Sequence, residues 1–373
     1  CSAAPCTANM VFAPEAAGCA FTQNPCDIVT DGDMEAFTSC NAVDIVASFT
    51  DWDACEWHLP NYLQFVGTSD YFTTCAPSGG PVSTNANVNV FSMCQSVAPQ
   101  HGQGYCGIFV SGDAFIGSST YQPEYREYLV NHLNTPMVAG KTYILSMWVR
   151  LANVSKYATD DIYMMFGNNM PLQSDNGAYA TAIPQNPSIQ SFTLSPITDK
   201  TGWTLLSKPY VATSNYDHVY IGNFNPENAT TKLNLDFPGS GWTYASAGNS
   251  QQNCSYHIVG SYYYIDNVSI RPVDLNAGPD QSICPSQTVA LTSTLSCPPT
   301  GGTVSYNWSP SSSLTTPNAS STIASPSVTT DYTLTATITF TNGSSPIVLH
   351  DYVTVSVVNP SFSLTANASP NPI

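Results

Sequence analysis

The run GSYYYIDNVSI (Gly260–Ile270) decides the reading of the fold. Its tyrosines, isoleucines and valine are residues that favour strands. An acid, Asp266, interrupts it. A carboxylate in the middle of a strand is costly to bury unless a cation or a set of donors compensates it. The alternative is that Asp266 faces solvent or caps a turn. Similar strand-like runs lie upstream: KTYILSMWVRLA (141–152), TGWTLLSKPYVAT (201–213) and DHVYIGNF (217–224). Pro, Gly, Asn and Ser punctuate them. The segment PEYREYLVNHLN (123–134) fits a short helix by its Tyr125, Leu129 and Leu133 spacing. It fits equally a strand with Tyr128 and Val130 on one face, and its surroundings favour the strand. The pattern predicts an all-β chain folded as β-sandwiches.

Composition narrows the class. Of 373 residues, 9% are charged, against ~25% in an average soluble protein. Lys plus Arg number 8 and Asp plus Glu 25, for a net charge of −17. Binding phosphates needs clustered cations, so nucleic acid is excluded as a partner, and anionic membrane surfaces are disfavoured. No apolar stretch is long enough to span a membrane. Nothing reads as a signal peptide, so a mature secreted chain is expected.

There are 12 cysteines, nine of them before residue 107. No CxxC pair occurs and the histidines are scattered, so spacing gives zinc no support. An even count in a Lys-poor chain suggests disulfides and an oxidising, extracellular location. The first 26 residues read as a separate Cys-rich segment. Cys1 is either disulfide-paired or lipid-anchored. Cys284 and Cys297 stand apart from the other ten and are expected to bond each other.

Composition changes near Val273. From there to Val358 the chain is Ser/Thr-rich and holds no Lys or Arg. Short alternating strands recur (QTVALTST, VSYNWSP, SSTIASP, DYTLTATITF, DYVTVSVV), with Trp308 among them. That rhythm predicts an immunoglobulin-like sandwich. Residues 359–373 read as a linker entering another such repeat. The expected domains are therefore 1–26, 27–272, 273–358 and 359–373.

Several motifs resemble those of the Bacteroidota surface proteins exported by type IX secretion, of adhesin type. They are DIVTDGDMEAFTSC (27–40), GTSDYFTTC (67–75), YREYLVNHLNTPMVAGKTYILSMWVRLANVSKYATDDI (125–162), TGWTLLSKPYVATSNYDHVYIGNF (201–224) and YYYIDNVSI (262–270). The resemblance implies a jelly roll like a carbohydrate-binding module at 27–272, followed by Ig-like or PKD-like repeats. A disulfide-stapled jelly roll followed by an Ig-like sandwich is thus the expected fold. The family's sorting domain is not matched. The resemblance also implies a structural calcium between Glu35, in GDME, and Asp266, with Asp33 joining them. Backbone carbonyls would complete its six to eight oxygens.

Aromatic residues cluster at 52–72: Trp52, Trp57, Tyr62, Tyr71 and Phe72, with Asp70 beside them. Such rings can stack on the apolar faces of sugars, with the acid reading hydroxyls. The same rings can instead fill the small core of a stapled loop. Glu124 and Glu127 flank Arg126, which suggests salt bridging rather than a glycosidase pair. No GxSxG, HExxH or phosphate-binding loop occurs. The expectation is a non-enzymatic surface protein whose head binds a glycan or a protein surface. A filament or sheath subunit packing on copies of itself is the alternative, and a glycan hydrolase stands third.

Overall fold

The computed structural model describes residues 26–34, 70–73, 97–102, 104–112, 114–116, 120–122, 126–153, 155–168, 185–235, 260–297, 302–340 and 346–359. The described chain is all-β; its helical content is a single 3₁₀ turn at Glu227–Ala229. The chain divides into two compact units, Cys1–Pro272 and Val273–Ile373.

The first unit is built on two antiparallel sheets. One has the order β1 (Asp70–Thr73), β2 (Gly104–Gly112), β13 (Gly260–Pro272), β6 (Thr142–Leu151), β10 (Thr204–Val211). The other runs β5 (Leu129–Met137), β11 (Tyr216–Gly222), β8 (Tyr163–Gly167), β9 (Gln190–Ser191). Two ribbons, β3 (Ala114–Ile116) with β4 (Thr120–Gln122) and β7 (Tyr157–Ala158) with β12 (Leu233–Asn234), complete it. The core lies between the sheets, where Ile108, Val149 and Ile265 meet Leu129, Phe166 and Val219. The ambiguous segment at 123–134 is strand, and Tyr128 and Val130 share its outer face with Met165 and Tyr220.

Strand β13 is buried on both faces, which explains why its sequence lacks polar alternation. Tyr263 and Ile265 enter the core. Tyr262 and Tyr264 point the other way, into an edge-to-face aromatic ladder. Tyr105 meets Tyr264 at 5.3 Å, Tyr264 meets Tyr262 at 5.7 Å, and Tyr262 meets Phe109 at 5.0 Å. Gly107 lies under this ladder; a Cβ there would stand 2.2 Å from the Tyr262 hydroxyl. Asp266 is the next residue on the ladder face by strand alternation.

The second unit has a four-stranded sheet ordered β15 (Gln281–Ile283), β21 (Ile347–Val357), β20 (Thr330–Phe340), β18 (Gly302–Ser309). β15 pairs parallel with β21, and the other pairs are antiparallel. Two ribbons, β14 (Asp274–Asn276) with β17 (Thr294–Ser296) and β16 (Val289–Thr292) with β19 (Ser321–Ala324), accompany the sheet. Trp308 is fully buried with Leu291, Tyr332, Leu334 and Val353, and its indole N–H donates to Ala319 O at 3.0 Å.

The expected Cys284–Cys297 bond is not formed. The Cys284 thiol is free and exposed, while Cys297 is disulfide-bonded, as is Cys26. Nearness in sequence misled here. Cys284 follows β15, which pairs with β21, whereas Cys297 follows β17, which pairs with β14. The two cysteines leave strands that belong to different sheets.

Candidate functional site

Asp266 is wholly buried, and its surroundings answer the question its position raises. The pairing of β13 with β6 slips between Asp266 and Ser269. Asn267 takes a left-handed backbone at φ 49° to accommodate this bulge. The bulge frees the Asp266 carboxylate to act as an acceptor for the backbone. Oδ2 accepts the N–H of Gln100 at 2.7 Å and of His101 at 3.1 Å, and Oδ1 accepts that of Asn267 at 2.6 Å. The Asn267 amide adds a bond to Gln100 Oε1 at 3.0 Å. Trp203 Nε1 donates to Ala98 O at 3.0 Å and ties the same loop to the start of β10.

A second loop, Thr30–Met34, lies against the bulge. Val268 donates its N–H to Gly32 O at 2.7 Å. Only glycine fits at this approach, because a Cβ on residue 32 would sit 1.9 Å from Val268 O. Asp31 and Met34 both have positive φ, at 50° and 58°, so the turn is tightly curled. Asp33 follows Gly32, and its Oδ2 lies 3.6 Å from His101 Nδ1. His101 therefore bridges the two loops, its backbone on Asp266 and its ring by Asp33. Asp27 fixes the approach to the turn, accepting from Val29 at 3.0 Å and Ile270 at 2.9 Å.

These carboxyls are held away from water. Burial pushes the Asp33 carboxyl above its ordinary range, with His101 and then Asp31 offsetting part of the shift. Burial likewise raises Asp27, against the opposing bonds from Ser269, Ile270 and Val29. Asp33 Oδ1 is buried without a hydrogen-bond partner. An acid oxygen in that condition fits a hard cation, which prefers oxygen ligands. Asp33 thus fits the calcium expectation, with Asp31 on the same turn. Glu35 lies outside the described residues. Asp266 is joined to Asp33 through His101 and serves as a backbone anchor with or without a metal.

The aromatic candidates Trp52, Trp57 and Tyr62 also lie outside the described residues. Asp70, Tyr71 and Phe72 fall in β1, at the margin of the five-stranded sheet, opposite Gly107, Cys106 and Tyr105 of β2. No protein-family model matches the sequence, and no curated protein sequence matches it. Two solved structures show weak similarity to this chain. The K3 cleaved adhesin domain of Lys-gingipain from Porphyromonas gingivalis W83 is 13% identical, over 54% of this chain and 84% of that one, with a TM-score of 0.24. The tripod of the baseplate of bacteriophage Tuc2009 is 10% identical, over 62% of this chain and 78% of that one, with a TM-score of 0.19. Likeness at this level carries no argument about activity.

The other buried charges brace loops. Arg126 is buried and donates to Glu227 Oε2 at 2.8 Å, Thr230 Oγ1 at 3.1 Å and the carbonyls of Asn223 and Asn225. Glu227 also pairs with Lys232. Asp161 accepts from Thr231 N at 2.6 Å, Asn225 Nδ2 at 2.7 Å and Tyr163 Oη at 2.5 Å. Glu127 accepts the Phe109 N–H at 2.8 Å, and Glu124 lies outside the described residues. The loop 222–231 is the partner of Arg126. Sequence reading had no access to these pairs, since Arg126 and Glu227 are 101 residues apart.

Proposed function

We propose that this chain is a non-catalytic extracellular adhesion protein. Its first sandwich is a recognition head for a glycan, and the second is a spacer. The observation that carries the reading is the clamp at Asp266, which fixes the loops 97–102 and 30–34 to a strand buried on both faces. Loops held by a rigid scaffold are the usual carriers of binding residues. The buried carboxylates Asp266, Asp161 and Glu127 support a non-catalytic role, because their oxygens serve the backbone and hydroxyl groups of neighbouring segments. Calcium at Asp33, with Glu35 and with Asp266 of β13, would stiffen the same end. Trp52, Trp57, Tyr62, Tyr71, Phe72 and Asp70 are the proposed glycan contacts. Export by type IX secretion belongs to the same proposal and rests on the motif resemblance alone. Retention of the chain on immobilised polysaccharides, without release of new reducing ends, tests the reading.

A second reading is assembly of copies into a filament or sheath. One observation favours it. Among the described residues β18 is a sheet edge, and Val348 and Tyr352 of β21 are 52% and 66% exposed on one face of that sheet. Open edges and apolar strand faces suit pairing between chains. Concentration-dependent self-association, read by light scattering, separates it from the first reading.

A further inference from the structure

The edge of the second sheet carries a group of side chains that sequence spacing does not connect. His132 of β5 stands directly opposite His218 of β11, and their rings lie 4.7 Å apart at 76°. Directly opposed residues of an antiparallel pair share a face, which brings together two imidazoles 86 residues apart in sequence. A third ligand comes from the neighbouring residue. Strict alternation would send Asp217 to the opposite face from His218. The β5–β11 register is irregular here: Tyr216 pairs with Met137 and His218 with His132, so the stretch 133–136 of β5 stands opposite Asp217. Pro136, which has no N–H to give a ladder, lies in that stretch. Asp217 takes its own N–H to Asn168 Oδ1 at 3.2 Å and its Oδ1 to His218 Nδ1 at 2.7 Å.

We infer that His132, Asp217 and His218 form a surface site for a divalent transition metal of the zinc class. One ligand atom from each residue lies within 4.8 Å of the other two. Bonds of about 2.0–2.2 Å to nitrogen and oxygen place the ligand atoms roughly 3.3 Å apart in a tetrahedron, so His132 closes in and the His218–Asp217 hydrogen bond opens as the metal enters. His132 is exposed, so its ring has solvent on one side into which it can turn to make that adjustment. His218 and Asp217 have side chains only 20% and 34% exposed, so two of the three ligands are already positioned. Two imidazoles select zinc, copper or nickel over calcium, which prefers oxygen. The net charge of −17 raises the local concentration of cations. Three protein ligands leave a fourth position open to water or to a donor from a second molecule.

The test is calorimetric titration of the full, EDTA-dialysed chain with zinc chloride. Wild type is expected to take one equivalent with micromolar or tighter affinity at this site, unaffected by excess calcium. His132→Ala and His218→Ala should each weaken it by roughly tenfold or more. His350→Ala and Cys284→Ser, at an exposed imidazole paired with Thr335 and at the free thiol, should leave it unchanged. Because His132 is exposed, its variant keeps the wild-type melting temperature, which guards against misreading an unfolded His218 variant. Cobalt in place of zinc should give the visible bands of a low-symmetry site, and His132→Ala should remove them. Absence of zinc uptake at millimolar concentration overturns the assignment. So does uptake that survives His132→Ala combined with Asp217→Asn.

Discussion

Asp266 accepts the backbone N–H of Gln100 at 2.7 Å across 166 residues of sequence. A carboxylate inside a strand has become the fixed point of a distant loop. Asp266→Ala would leave three backbone N–H groups, those of Gln100, His101 and Asn267, without their acceptor. The expected loss is about 3 kcal/mol. For a unit of this size that lowers the melting temperature by roughly 6–12 °C. Gly32→Ala attacks the same contact from the other loop and should cost about 1–3 kcal/mol through the clash with Val268 O. Differential scanning calorimetry checks both. Variants that melt with wild type would show that the loops are not held by this clamp.

The strands β6, β10 and β11 were legible from their β-branched and aromatic residues between turn residues, and β20 from its alternation, because one of its faces meets a core. The burial of Asp266 was not, because nothing in YYYIDNV announces a bulge that turns the acid onto the loop at Gln100. Strand β13 is apolar on both faces, so its pattern carries no record of which side Asp266 takes. Register decides such contacts. His132 and His218 look isolated in sequence and are cross-strand neighbours in the sheet. The approach of His101 to Asp33 was not legible either, because the two lie on separate loops far apart in sequence.

Cys284 offers a direct check on the strand assignment of the second unit. Its exposed thiol should react with a maleimide in the native, unreduced chain, while Cys297 should not. Peptide mapping of the labelled protein distinguishes the two. A native Cys284–Cys297 crosslink would contradict the placement of β15 and β17 in separate sheets.

Calcium at the Thr30–Met34 turn has a signature in pH. A carboxyl raised by burial contributes stability that is present below its unfolded pKa and is lost as pH rises through the folded value. In EDTA, Asp33→Asn should therefore be at least as stable as wild type at pH 7. Its advantage should shrink as pH falls towards ~4, where an unfolded Asp also takes up its proton. Calcium reverses the order by holding Asp33 ionised, so wild type gains melting temperature and Asp33→Asn gains less. Melts with and without calcium that coincide for both proteins would remove the metal from the account.

At the alkaline end, burial pushes the hydroxyls of Tyr105, Tyr163, Tyr220 and Tyr263 above the ordinary tyrosine range. Asp161 adds to the shift at Tyr163 and Asp217 to that at Tyr220. Each raised group gives stability that is complete below about pH 10 and is lost as pH climbs through the folded value. Tyrosinate absorbance near the unfolding transition should then rise together with loss of sheet signal by circular dichroism. Full ionisation of all tyrosines in a chain that keeps its sheet signal would contradict their burial.

The first sandwich is proposed to recognise glycans without transforming them. Incubation of the intact chain on a panel of immobilised polysaccharides, with retained protein and released reducing ends read from the same wells, tests it most directly. Saturable retention on at least one polysaccharide, with no sugar release, is the expected result. Tyr71→Ala and Trp57→Ala should weaken retention at least severalfold, since a stacking ring in comparable platforms is worth ~1–3 kcal/mol. Turnover of any polysaccharide, or retention by none of them, would contradict the claim.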